Sequence, residues 1–244
     1  MIDRILKAII VLSVLGIVFI LLYSGASAAR QNVFTANYNL SSSDVISYDD
    51  PDRARQFVSE LVSDKAQFYS FTASKGLEIN LELNIPRLEG LDNFRPSLAL
   101  FGPGLPMPPE SDLRKLPFTL PPEYGMVLSQ DDPNEPKARI LVDEPYTQIG
   151  FWEGQRIGRE LTQDGTYYVA VFDQAEHGGK YVLLTGNRNG ASLADTLTFP
   201  WLWVKLHFWY EQGLIALLVI LVLFTGFVTL GYFRFIGSKK KSSN

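Results

Sequence analysis

"EINLELNIP", residues 78–86, alternates without a break: Ile79, Leu81, Leu83 and Ile85 fall on one side, Glu78, Asn80, Glu82 and Asn84 on the other. Successive side chains of a β-strand point to opposite faces, so the pattern predicts a strand with one face in a core and one in water. Further short runs of strand type lie to either side: "AQFYSFTA" (66–73), "SLALFG" (97–102), "YGMVLSQ" (124–130), "ARILVD" (138–143), "TYYVAVFD" (166–173) and "KYVLLTG" (180–186). Most are bounded by Gly, Pro, Asp or Asn, which supply turn geometry. About seven to nine strands without strong helices between them predict an all-β fold, an antiparallel jelly-roll-like β-sandwich. It would occupy residues 30–190. Only "PDRARQFVSELV" (51–62) reads as helical, with Asp50 as cap and Pro51 in the first turn. The last two runs, joined through "QAEHGG", read as a hairpin with Tyr167, Val169 and Val171 facing inward opposite Tyr181 and Leu183.

The order "AQFYSFTASKGLEINLELNIP", "PSLALFGPG", "DGTYYVAVFD…GGKYVLLTG" resembles the bacterial pre-peptidase C-terminal domain. The matching features are the polar-aromatic first strand (Phe68, Tyr69, Phe71), the turn Lys75-Gly76 and the closing Gly-Thr-Tyr-Tyr strand, within 60–103 and 160–187. The resemblance implies a small sandwich of the kind found beside secreted proteases and in other exported proteins. It also implies an attachment module, mostly without catalysis and in some members calcium-binding. This chain departs from the pattern by its insertion at 102–136 and by lacking an adjoining protease. Prolines at 103, 106, 108, 109, 117, 121, 122, 133 and 136 keep a central strand or long helix out of most of that insertion. Two roles stand open for it, a partner-binding loop and a cover over one sheet. Trp152, beside Phe151, reads as core or sheet cover.

The ends of the chain are of another kind. Residues 8–23, "AIIVLSVLGIVFILLY", follow Arg4 and Lys7 and precede the small-x-small site Ala26-Ser27-Ala28. Residues 1–28 are therefore a cleaved signal peptide or a retained signal anchor. Residues 213–233, "GLIALLVILVLFTGFVTLGYF", carry no charge over 21 positions, which as a helix is about 31 Å, a full transmembrane span. Arg234, Lys239, Lys240 and Lys241 begin the tail 234–244, and such a basic flank stays cytoplasmic. The aromatic segment 199–212, "FPWLWVKLHFWYEQ", then falls at the outer interface, with Trp201, Trp203, Trp209 and Tyr210 as its anchors. It is apolar nearly all round, which fits an outer extension of the spanning helix or a partner-covered segment; His207 and Glu211 are spaced to pair across one helical turn. Thr225 and Thr229 form a small-xxx-small pair, a helix-packing candidate. The topology places the sandwich outside the cytoplasmic membrane. Its surface is acidic: residues 30–200 hold 15 Lys and Arg against 24 Asp and Glu, a formal charge of −9. That argues against nucleic acid.

No catalytic constellation emerges. The sandwich region holds one histidine, His177, no Gly-x-Ser-x-Gly elbow and no phosphate-cradling loop, and the chain has no cysteine. Calcium is the metal best suited to what remains, a hard ion for oxygen ligands. Its candidates are Asp49, Asp50 and Asp52 in "YDDPD" and Asp131 and Asp132 in "QDDPNE", and neither run has EF-hand spacing. Asn39 begins a glycosylation sequon. Together these features predict a non-enzymatic, membrane-anchored, extracytoplasmic binding module without an obligatory cofactor. Its partners would be the lipid bilayer and another membrane or extracytoplasmic protein. An accessory subunit of a membrane complex is the alternative, and a hydrolase with dispersed carboxylates the third reading.

Overall fold

The computed structural model describes residues 45–63, 65–132, 138–144, 149–188 and 193–241, the backbone of 31–34, and Gly16; parts of 193–241 are described as backbone only. The candidate leader 1–28 and the sequon at Asn39 therefore lie outside the described residues, Gly16 excepted. The chain divides into a unit of Ala29–Ala191 and a unit of Met1–Ala28 with Ser192–Asn244.

The first unit is a β-sandwich. Its strands are β1 (Gln31–Phe34), β2 (Val45–Ser47), β3 (Arg55–Leu61), β4 (Ala66–Ala73), β5 (Glu78–Pro86), β6 (Ser97–Gly102), β7 (Gly125–Ser129), β8 (Leu141–Glu144), β9 (Ile149–Glu160), β10 (Gly165–Phe172) and β11 (Gly179–Thr185), with one short helix, α1 (Glu110–Leu113). A six-stranded sheet runs β1-β3-β11-β5-β9-β8 and a five-stranded sheet β2-β4-β10-β6-β7. Strand β5 behaves as its alternation requires: Ile79, Leu81, Leu83 and Ile85 enter the core between the sheets, while Glu78 and Asn80 are exposed. Two outer pairings, β1 with β3 and β2 with β4, are parallel, a departure from the purely antiparallel expectation.

Residues 51–62 are not a helix. Asp50, at φ +50°, opens a turn in which the Arg53 N–H donates to the Asp50 carbonyl (3.0 Å), and β3 follows. Phe57 and Leu61 then reach the core opposite Leu183 and Gly179 of β11. Burial between two strands here outweighs a pattern that also suits a helix.

The expected hairpin is also corrected. Strand β10 pairs with β4 and β6, whereas β11 pairs with β3 and β5 in the other sheet, so residues 173–178 cross between sheets. The inward faces stand as expected, because Tyr167, Val169 and Val171 meet Tyr181 and Leu183 through the core. There the Tyr69 and Tyr181 hydroxyls, one from each sheet, share a hydrogen bond of 2.8 Å. Full burial pushes the Tyr181 pKa well up, so the bridge stays neutral.

The Pro-rich insertion covers the outer face of the five-stranded sheet. Leu116, Phe118, Leu120 and Tyr124 pack on a second apolar cluster of Ala99, Phe101, Met126, Ala170 and Phe172. Phe101 stacks with Phe118 (5.5 Å) and with Tyr168 (5.3 Å). Every residue of "SLALFG" is accordingly buried, which explains why that run is apolar without alternation. Of the two roles open for the insertion, 116–124 fills the covering one.

In the second unit, α2 (Leu193–Trp209) is followed by α3 (Gly213–Lys241). The aromatic segment is thus not a straight extension of the next helix. Glu211 takes φ +63°, the Gln212 N–H donates to the His207 carbonyl (2.8 Å) and the Glu211 N–H to the Phe208 carbonyl (3.2 Å). This is a Schellman termination with glutamate where glycine is usual. Among the described residues no helix is long and apolar enough to cross a membrane. The 213–233 run lies within α3, but the side chains at 223, 230 and 233 are outside the described set.

Candidate functional site

The register of β9 against β5 breaks once. Leu81 faces Ile157 and Glu82 faces Arg156, but Asn84 faces Glu153, so Gly154 and Gln155 together oppose Leu83. This bulge shifts the phase of β9: Trp152, Gln155 and Ile157 all turn inward, where strict alternation from Ile157 would send Glu153 in and Trp152 out. Only glycine fits at the kink, since a Cβ on Gly154 would stand 2.3 Å from the Leu83 carbonyl oxygen.

The bulge aims a buried Gln155 into a cleft of about 190 Å³ at the end of the sandwich. There its Nε2 donates to Asp131 Oδ1 (3.0 Å), and its Oε1 accepts from Ser129 Oγ (2.9 Å). Arg95 Nη1 donates to the other Asp131 oxygen at 2.7 Å. Arg139 forms one wall, its guanidinium donating to the Leu91 carbonyl (3.1 Å) and the Phe94 carbonyl (2.5 Å) and lying 5.9 Å from the Trp152 ring. Arg87 approaches the same ring at 5.9 Å. Burial, and next the neighbouring Arg95 charge, lower the Arg139 pKa. Glu153, also in the lining, pairs with Arg156 at 2.5 Å. Both Asp131 oxygens are thus engaged by donors, and the lining combines the guanidinium groups of Arg95 and Arg139, the Gln155 amide and the Asp131 and Glu153 carboxylates. Among the described residues of the cleft, the polar groups of Arg95, Asp131, Arg139 and Gln155 are hydrogen-bonded to one another, to Ser129 and to backbone carbonyls.

The structure brings Asp50 and Asp52 together on Arg188, whose Nη2 donates to Asp50 (2.7 Å) and Nε to Asp52 (3.1 Å). Asp49 is exposed nearby, Asp131 belongs to the cleft, and Asp132 is exposed beside it. Among the described residues no group of three or more His, Asp or Glu is placed to hold a metal ion. His177 stands 3.2 Å from Asp173. In α2, Trp201 is 74% exposed, Trp203 lies against His207 (3.7 Å between rings) and Trp209 meets a buried Tyr210 edge-on at 4.8 Å. His207 Nδ1 donates to the Trp203 carbonyl (2.9 Å), and Glu211 lies just past the end of the helix at φ +63°. Thr225 and Thr229 return their hydroxyls to the carbonyls of Val222 (2.9 Å) and Thr225 (2.6 Å) of their own helix. The side chains of Arg234, Lys239, Lys240 and Lys241 lie outside the described residues. Sequence reasoning missed Arg95, Gln155 and the bulge. The available signal was Gly154 inside an otherwise strand-like run.

No protein-family model and no curated protein matches the chain. Among solved structures it is similar to PliG of Salmonella Typhimurium, a periplasmic inhibitor of g-type lysozyme (14% identity, TM-score 0.30, 59% of this chain and 97% of that one). It is also similar to the pre-peptidase C-terminal domain of a Bacillus anthracis collagenase (14%, TM-score 0.31, 60% and 99%), the family whose pattern the sequence resembles. A third is CorA of Methylomicrobium album BG8, a surface-associated copper-binding protein (8%, TM-score 0.29, 63% and 99%).

Proposed function

We propose that this chain is a non-enzymatic binding module, tethered to the outer side of the cytoplasmic membrane by residues 213–233, whose sandwich offers the Gln155 cleft to a protein partner. The observation that carries the tether is the surface of α3. Leu214, Phe224 and Phe227 are 72%, 63% and 76% exposed, and Leu217, Leu218, Leu221, Val222 and Val228 are exposed beside them. A helix apolar on several faces at once is unstable in water and stable in hydrocarbon. The basic residues after 233 set its direction, leaving the tail in the cytoplasm and the acidic sandwich outside. Partner helices would satisfy the same surface, which is the reading as a subunit of a membrane complex.

Two measurements test this. Carbonate-washed membranes are expected to retain the full chain. Protease added to spheroplasts is expected to digest the sandwich and spare an epitope on the tail. Release by carbonate, or loss of the tail epitope with an intact sandwich, refutes the tether and its direction. In mild detergent, a stoichiometric second protein lost on exchanging α3 for an unrelated spanning helix identifies the complex-subunit reading.

A further inference from the structure

Strand β8 ends the six-stranded order, and among the described residues nothing pairs with its outer edge. Apolar side chains are exposed along it, Leu141 and Val142 at 41% and 46% and Ile140 just before it at 60%, with Arg139 and Asp143 flanking them. Its backbone polarity is fixed by the inner pairing. The Glu153 N–H donates to the Ile140 carbonyl (2.9 Å) in the register Leu141↔Trp152, Val142↔Phe151. Ile140, Val142 and Glu144 are therefore spent on β9, and the N–H and C=O of Leu141 and Asp143 point outward.

The sequence around this edge is self-complementary. Arg139-Ile140-Leu141-Val142-Asp143 carries opposite charges two residues to either side of Leu141. Laid antiparallel on itself and centred on Leu141, it sets Arg139 against Asp143, Ile140 against Val142 and Leu141 against its own copy. Leu141 and Asp143, whose backbone groups point outward, then fall on hydrogen-bonded positions, with Arg139 of the other copy facing Asp143 so that opposite charges meet across the strands. We infer that β8 pairs with β8 of a second copy about a two-fold axis through Leu141, joining two sandwiches into one continuous sheet. A closed two-fold contact uses the same patch twice, and this patch satisfies itself in backbone, apolar side chains and charge. Arg139 keeps donors for Asp143 of the second copy after serving the Leu91 and Phe94 carbonyls. The pairing also sets the two Gln155 clefts on either side of one axis. This inference is independent of the membrane tether and stands or falls without it.

The chain has no cysteine, so single introduced thiols report the register cleanly. In the full-length chain purified in mild detergent, Leu141→Cys is expected to give a disulfide-linked homodimer on mild oxidation. Facing residues of a hydrogen-bonded antiparallel pair stand about 5.5 Å apart at Cα, within disulfide reach. Asp143→Cys places its two thiols about 14 Å apart along the strands, so its yield should be at least about tenfold lower. In the Leu141→Cys background, Asp143→Lys should lower the yield and Asp143→Glu should keep it. Both positions are exposed, so the fold is not at risk. Equal yields at 141 and 143, no cross-link at 141 from a folded chain, or a cross-link from 141 to a different protein would each overturn the proposal.

Discussion

Tyr167→Ala is expected to lower the unfolding free energy by about 3–5 kcal/mol, the range for emptying a buried aromatic site. Tyr167 is fully buried at the start of β10 and stacks on Phe71 with centroids 5.8 Å apart. Its ring lies so close to Gly102 that an added Cβ there would stand 2.5 Å from Tyr167 Cδ1. The hydroxyl lies 2.8 Å from the Gln163 carbonyl and 2.9 Å from the Pro103 carbonyl, donating to one at a time. The bond four residues back along the chain is the arrangement of a tyrosine corner, which pins a strand entry in sandwich folds. The bond to Pro103 fixes the start of the Pro-rich insertion as well. Tyr167→Phe keeps the ring and is expected to cost about 1–2 kcal/mol, the loss of one buried hydrogen bond. Urea unfolding of the full chain in mild detergent, followed by near-ultraviolet circular dichroism, measures both. Equal losses in the two variants would mean that the hydroxyl, not the packing, holds this corner.

Much of the sandwich is legible because strand geometry writes itself into a period of two. Ile79, Leu81, Leu83 and Ile85 name their own face, and the inward set Tyr167, Val169, Val171, Tyr181 and Leu183 follows the same rule. Pairing partners are not written there. Strands β10 and β11 are neighbours in sequence, yet only tertiary packing decides that they face each other across a core instead of lying edge to edge. Residues 51–62 read as helical for a related reason, since Phe57, Val58 and Leu61 suit a helical stripe as well as the strand closed in by β11 that they form. The covering role of 116–124 depends on Phe118 meeting Phe101 and Phe68, contacts between segments that share no local signal. The cleft was the least legible part. Arg95, the Asp131–Arg139 segment and Gln155 come from separate parts of the chain, and one extra residue in β9 turns Gln155 towards the others. In the acidic turn "YDDPD", Asp50 and Asp52 bind Arg188, 136 residues away from Asp52, a pairing that no local pattern shows.

That extra residue supports the sharpest comparison in the molecule. Gly154→Ala forces a methyl group against the Leu83 carbonyl oxygen, a backbone atom that cannot swing aside, at 2.3 Å. The bulge must open or slide. The expected cost is about 2–3 kcal/mol, the upper part of the overpacking range. Gly158, four residues on in the same strand, is the control, because a Cβ there meets only Asn80 Oδ1, at 3.0 Å. That atom ends a flexible side chain on the wet face, so Gly158→Ala should stay within about 0.5–1 kcal/mol. The two also differ locally. When β9 slips by one residue its faces exchange, which withdraws Gln155 from Asp131 and turns Trp152 away from the core. Gly154→Ala, and not Gly158→Ala, should therefore red-shift the tryptophan emission assigned to Trp152 by its replacement with phenylalanine, and should speed amide exchange at Gln155. If the two alanines cost the same and leave emission and exchange alike, the bulge does not build the cleft, and the Gln155–Asp131–Arg95 arrangement has some other support.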